Sequence, residues 1–198
     1  MMPQKLIWNV TETKNKKMDA IELLKNNGTV LYPTDTTFGI GCDAKNVEAI
    51  RKIFKIKNRP DSKSLIILVD SNRRLQEIVD VPELAWDIMD LSEKPVTIIY
   101  DNPRNLPKEL IADDNTVAIR LTHDLFCKKL ISRLNSPLVS TSANISGETT
   151  PNSFAEISDQ IKEEVDYIFP ESENFIPKFS GSSIIKLSTD GQVKVIRE

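Results

Sequence analysis

Six basic residues, Arg51, Lys52, Lys55, Lys57, Arg59 and Lys63, crowd one stretch that holds a single acid, Asp61. This stretch carries +5 in a chain whose net charge is −3, so the remainder carries −8. Helical spacing sorts the cations. Arg51, Lys52 and Lys55 fall opposite the apolar stripe of Val47, Ile50, Ile53 and Phe54, whereas Lys57, four residues beyond Ile53, points inward. Pro60 pushes Arg59 into an extended conformation, so Lys57 and Arg59 converge where the helix ends. Convergent cations suit a phosphate, and the same charges also offset the macrodipole of a solvated helix end. Loss of either charge is expected to leave the fold intact.

Two hydroxyl-rich segments accompany the cations. Pro33-Thr34-Asp35-Thr36-Thr37-Phe38-Gly39-Ile40-Gly41 places three hydroxyls and two glycines directly after an apolar strand, where α/β sheets put ligands. It follows neither a dinucleotide nor a P-loop fingerprint, and a plain turn fits it as well. Ser140-Thr141-Ser142-Ala143-Asn144-Ile145-Ser146-Gly147 closes another apolar strand, and its hydroxyls need partners in a ligand or in the local backbone. Arg120, in the middle of the strand Thr116-Val117-Ala118-Ile119-Arg120-Leu121, demands a carboxylate or phosphate if buried, and a protein Asp or Glu is the commoner partner.

The elements that must hold these residues follow from periodicity. Helices are expected over 16–25, stopped by Asn26-Asn27-Gly28, and over 46–56, 72–79, 82–91, 123–134 and 153–164, with Pro82 at a first helical position. Strands are expected over 29–32, 65–69, 95–100, 116–121, 137–142, 183–187 and 193–196, the last two joined by a turn at Asp190-Gly191. Residues 34–41 and 101–115 read as loops, and 170–181, rich in Glu, Ser, Asn and Pro, is long enough for a lid. Helices and strands interleave, which predicts an α/β fold: a single open domain over 1–198 with a twisted mixed β-sheet flanked by helices.

At roughly 150 residues per domain, the 198 residues favour one domain, in which about 70% of the unfolded surface is buried. The small negative net charge does not recruit a polyanion, so phosphate or RNA binding must come from a local patch. Cys42 and Cys127 are far apart and follow no metal-ligand spacing, and they read as small reduced core residues. With His123 the lone histidine, His-based metal sites are excluded, and its place at a helix start reads as capping or surface. No basic and apolar leader opens the chain and no apolar run approaches 18 residues, so a cytoplasmic protein with no membrane partner is expected.

Taken in order, Pro33–Gly41, Lys57-Asn58-Arg59-Pro60, Val117-Ala118-Ile119-Arg120 and Ser142-Ala143-Asn144-Ile145-Ser146-Gly147 resemble the YrdC family of threonylcarbamoyl-adenylate synthases, in its short single-domain form. The resemblance covers about residues 15–197 and includes the family's KxR and SxN elements, as Lys57/Arg59 and Ser142/Asn144. It implies an open α/β fold with a large basic cavity. It also implies that L-threonine, bicarbonate and ATP give L-threonylcarbamoyl-adenylate and pyrophosphate, the first step of tRNA threonylcarbamoyladenosine modification. Carried over by position, threonine contacts fall on Thr36, Arg120, Ser140 and Ser182. Nucleotide contacts fall on Arg59, Lys63, Thr116, Ser142, Asn144, Thr150 and Arg197, with Lys57 and Arg59 as the catalytic cations. The chain departs from the family pattern at Leu68, at Ser183, and at Ser92-Glu93-Lys94-Pro95.

That chemistry needs fixed cations more than a side-chain nucleophile. Threonine's amine and bicarbonate form a carbamate, whose oxygen attacks the α-phosphate, and Mg²⁺ escorts the nucleotide. The implied partners are a downstream transferase acting on tRNA and, weakly, tRNA itself. Two other readings stay open at this point: a non-catalytic RNA-binding paralogue of the same fold, and a carbamoyl-handling domain like that of hydrogenase maturation proteins, which sit in much longer chains.

Overall fold

The structure, a computed structural model, describes residues 19–58 and 65–198. The first part of the helix expected over 16–25, with Met18, lies outside them, and so do Arg59 and Lys63. Among the described residues, nine strands form one sheet, in the order β7-β1-β2-β6-β3-β5-β4-β8-β9. They are β1 (Val30–Pro33), β2 (Phe38–Asp43), β3 (Ile66–Val69), β4 (Val96–Asp101), β5 (Thr116–Leu121), β6 (Leu138–Ser142), β7 (Tyr167–Ile168), β8 (Ser183–Leu187) and β9 (Val193–Arg197). β3/β5, β4/β8 and β1/β7 run parallel and the other pairs antiparallel, so the sheet is mixed.

The helices are α1 (Ala20–Lys25), α2 (Val47–Ile56), α3 (Asn72–Gln76), α4 (Glu83–Leu91), α5 (Leu125–Leu134) and α6 (Asp159–Glu164). α2 forms where the spacing predicts it. Asn46 caps it by accepting the Ala49 amide at 3.1 Å, Ala49, Ile50, Ile53, Phe54 and Ile56 are buried, and Asn58 at φ 47° turns the chain away. α5 ends in the same way on Asn135, at φ 55°.

Alternation along the strands assigns side chains to two faces. One face carries Leu31, Phe38, Ile40, Ile67, Val69, Ile98, Val117 and Ile119, in one buried cluster with the apolar sides of α2, α3 and α4. On the opposite face, Val30, Tyr32, Leu68 and Leu138 pack with Ile21 and Leu24 of α1 and Cys127, Leu130, Ile131 and Leu134 of α5. That second cluster ends at β3. Further along the same face stand Arg120, Ile99, Ile184 and Lys186, the last three only half-buried, so this end of the sheet is open.

Several expectations need correction. Residues 34–41 are not one loop: 34–37 make a tight turn, and Phe38 begins β2, which pairs with β1. The glycines that suggested a loop are strand residues. A Cβ at Gly41 would sit 2.0 Å from the Val139 carbonyl oxygen, so glycine allows β2 and β6 to approach. The helix expected over 153–164 is a 3₁₀ turn (Phe154–Glu156) and then α6, restarted by Ser158, whose hydroxyl accepts the Ile161 amide at 3.4 Å. α3 stops at Gln76, and Pro82 is the cap of α4 rather than its first residue. α5 starts at Leu125 with Asp124 as its cap, leaving His123 exposed before it. β7, two residues long, carries too little pattern to be anticipated.

Candidate active site on the open sheet face

Register brings the predicted residues to one face. Gly41, Ser140, Ile66, Ala118, Ile99 and Lys186 lie side by side across six strands; two residues away on one side of this row come Gly39 with Ser142, and two residues away on the other side Leu68 with Arg120. Ser140, Ser142, Thr116 and Arg120 therefore share one face of the sheet with Arg197, which pairs opposite Ile184. Four residues of β5 separate Thr116 from Arg120, or about 13 Å at a strand's rise, so one small ligand cannot touch both.

Arg120 is the centre of the arrangement. It is 4% exposed, and its Nη2 lies 3.0 Å from Asp35 Oδ1 while its Nη1 donates to Thr36 Oγ1 at 3.3 Å. The expected protein carboxylate is thus Asp35, in the turn between β1 and β2. Thr122 holds that carboxylate from the other side, donating to Oδ2 at 3.3 Å. The turn is itself organised by Thr34, whose hydroxyl donates to the Thr37 carbonyl at 2.7 Å and accepts the amides of Thr36 and Thr37. Thr37 ties it to the 150s loop, donating to the Pro151 carbonyl at 3.1 Å.

Ser182 is buried against Thr97, hydroxyl to hydroxyl at 2.7 Å, and its carbonyl accepts Arg197 Nε at 3.0 Å and Nη2 at 2.7 Å. Gly181 makes room for this, since a Cβ there would meet Arg197 Nη2 at 2.9 Å. Burial and the charge of Arg120 both pull the Arg197 pKa below its ordinary value. The two guanidiniums therefore sit close enough to repel, which favours an anion near them. Tyr32, beneath Gly39 and Gly41, has its pKa raised by burial.

Lys57 caps α2 and is buried, as its spacing predicts. Its ammonium donates to the Ser142 carbonyl at 2.6 Å, to the Asn144 carbonyl and to Asn144 Oδ1 at 3.3 Å, and its own carbonyl accepts the Ser146 amide. Lys57 thus meets both ends of the SxN element and clamps the loop after β6. Loss of such a clamp is expected to lower stability as well as remove a charge. The side-chain amide of Asn144 donates to the carbonyls of Ile145 and Glu148. Thr116 donates to Asp114 Oδ1 at 2.6 Å, and Asp114, also bonded to Lys186, has its pKa lowered by both. Ser142 and Thr150 are half-buried.

A cavity of about 290 Å³ lies against Asp35, between Leu121, His123 and Asp124 on one side and Ser92-Glu93-Lys94-Pro95 with Phe175, Lys178 and Phe179 on the other. Its lining mixes acids and lysines, and Lys57, Arg120 and Arg197 are not part of it. The 173–182 segment closes this side through the Phe179 amide on the Thr36 carbonyl at 3.4 Å and Phe175 edge-on to Phe38 at 5.2 Å. Both cysteines are buried free thiols with pKa values pushed up by burial, so neither is an activated nucleophile. Asp35 and Thr122 were not singled out as site residues. The one signal for Asp35 in the sequence is its place between two threonines directly after an apolar strand.

A mixed sheet covered by helices on one face and over half of the other, with Arg120 and Arg197 on the remaining half, is shared with known proteins, and the chain belongs to their family. The Sua5/YciO/YrdC family, described as "Telomere recombination", matches residues 22–198. A threonylcarbamoyl-AMP synthase of Pseudoalteromonas translucida is 35% identical over 156 residues, covering 77% of this chain and 83% of that protein. The crystal structure of P. abyssi Sua5 complexed with L-threonine superposes with a TM-score of 0.75 at 28% identity, covering 85% of this chain. The chain spans about half of that protein's length, 49%. E. coli YciO gives a TM-score of 0.78 at 25% identity, covering 90% of this chain and 86% of YciO.

Proposed function

We propose that this chain is a threonylcarbamoyl-adenylate synthase, an adenylyl-transferring enzyme that makes threonylcarbamoyl-adenylate and pyrophosphate from L-threonine, bicarbonate and ATP. The observation that carries the reading is the shared sheet face of Arg120, Ser140, Ser142 and Arg197 beside Thr36 and Lys57, in a chain whose curated relatives bear that name. In this reading Arg120 takes the threonine carboxylate, and Thr36, Ser140 and Ser182 surround its hydroxyl. Thr116, Ser142, Asn144, Thr150 and Arg197 contact the nucleotide, whose length suits the separation of Thr116 from Arg120.

The chemistry asks the protein for position and charge. Threonine's amine adds to bicarbonate with loss of water, and a carbamate oxygen attacks the α-phosphate as pyrophosphate leaves. Lys57 with Arg59 and Lys63, and Arg197 across the face, offset the charge that develops on the phosphoryl oxygens. Mg²⁺ enters as part of the nucleotide substrate: among the described residues no group of three or more His, Cys, Asp or Glu could hold a metal ion, and Mg²⁺ commonly binds through substrate phosphates. A transferase acting on tRNA consumes the product. No helix of the described residues is long and apolar enough to cross a membrane, which suits a cytoplasmic role.

The test is pyrophosphate and adenylate production with ATP, Mg²⁺, threonine and bicarbonate, each omitted in turn. Production that needs all three substrates is expected. Tight tRNA binding without pyrophosphate release under any combination would favour an RNA-binding role instead.

A further inference from the structure

Among the described residues, the buried side-chain atoms without a hydrogen-bond partner are Asp35 Oδ1, Arg120 Nε and Ser172 Oγ. Two of these three belong to one ion pair. Asp35 and Arg120 approach to 3.0 Å without aligning as a hydrogen bond, leaving a carboxylate oxygen in need of a donor beside a guanidinium in need of an acceptor. Unmatched buried polar atoms are costly, and they concentrate where a ligand completes the set.

The missing partners have a definite chemistry. A free α-amino acid brings an ammonium donor and a carboxylate acceptor on one carbon. A simple carboxylate or a phosphate brings acceptors alone, and it would set its charge against Asp35 in competition for the same guanidinium. We infer that Asp35 is the specificity-determining residue of the amino-acid subsite: it receives the substrate's ammonium while Arg120 takes the carboxylate, so the site selects zwitterions over simple anions.

The surroundings support this role. Asp35 is held from behind by Thr122, itself 1% exposed, whose oxygen also accepts the Asp124 amide at 3.2 Å at the start of α5. The carboxylate is thereby anchored to a helix cap. Arg197 and Arg120 alone would attract any anion, ATP's phosphates and product pyrophosphate included. Asp35 cancels one of those charges locally until a ligand with its own cation replaces the pairing.

The inference rests on the threonine reading given above, and direct binding separates the two. Calorimetry on the wild-type protein compares threonine with 3-hydroxybutanoate, the same molecule without its amine. At least tenfold weaker binding of the deaminated acid is expected, and equal affinities overturn the inference. In Asp35→Asn the two ligands should move in opposite directions, threonine weakening at least tenfold and 3-hydroxybutanoate tightening. A structural defect would weaken both, and that result overturns the assignment for a variant whose melting curve shows it folded. Should Asp35→Asn not fold, Thr122→Val, which keeps the charge and removes its anchor, is expected to narrow the threonine preference severalfold, and an unchanged preference counts against the inference. Selective threonine binding with no pyrophosphate release under any substrate combination would sink the synthase reading and leave the zwitterion subsite standing.

Discussion

Lys57 shows how one side chain joins structure to chemistry. A buried ammonium bonded to two backbone carbonyls cannot be removed without leaving those acceptors exposed to an apolar interior or to stray water. Hydrogen bonds to charged groups contribute about 1.5–3 kcal/mol each, so Lys57→Ala should lower stability by roughly that amount as well as cutting adenylate formation at least about tenfold. Denaturant titration alongside the pyrophosphate assay reads both, and wild-type turnover in this variant would remove the cation from the reaction. Lys55→Ala, on the exposed side of α2, is the control and should do little. Arg59, by contrast, is expected to affect turnover. The hydroxyls of Thr36, Ser140 and Ser182 set the second residue-scale prediction. Valine lacks the hydrogen-bonding group and leaves polar atoms unpaired, a penalty that can reach about 10⁴-fold. Serine loses only a methyl contact of about 1 kcal/mol, or roughly tenfold. Pyrophosphate release with each amino acid at equal concentration decides the matter, and equal rates for valine and threonine would take these hydroxyls out of the substrate site.

At the scale of elements, the site depends on how closely β2 can lie on β6. Gly41 is the point of contact, and its replacement by alanine drives a Cβ to 2.0 Å from the Val139 oxygen. Overpacking of this kind costs about 1–3 kcal/mol, which for a chain of this size lowers the melting temperature by roughly 3–10 °C. Because Gly41 itself pairs opposite Ser140, Gly41→Ala should also raise the threonine KM. An unchanged melting curve would mean that the strands part more easily than their register suggests. The 173–182 segment is held more lightly, through Phe175 on Phe38 and the Phe179 amide. An aromatic pair adds about 0.5–1.5 kcal/mol, so Phe175→Ala should speed proteolysis within 173–182 while barely moving global stability.

For the whole molecule, charge decides what the open face attracts. The net charge of −3 opposes RNA, and the cations that favour it are gathered at one end of α2 and on the site face. Direct tRNA affinity is therefore expected to be weak and to fall steeply between about 50 and about 200 mM salt. Tight binding that resists salt, measured by filter retention or fluorescence anisotropy, would point to a dedicated RNA surface elsewhere on the molecule.

Local chemistry made much of this protein legible from its sequence alone. The α2 stripe, the apolar runs of β3 to β6 and the inward turn of Lys57 are consequences of spacing within a few residues, and periodicity reports them directly. Order along the chain was enough to show the family resemblance. What required the tertiary structure were pairings between distant segments. Glycine in 39–41 suggested a loop because its use, the approach of the Val139 carbonyl, comes from a strand almost a hundred residues away. The partner of Arg120 could be any acid until β1, β2 and β5 were placed, because ion pairs form through space and leave no trace in local pattern. The division of the sheet into a helix-covered half and an open half was likewise decided by strand order, which assigns identical alternation to a core at one end and to a site at the other.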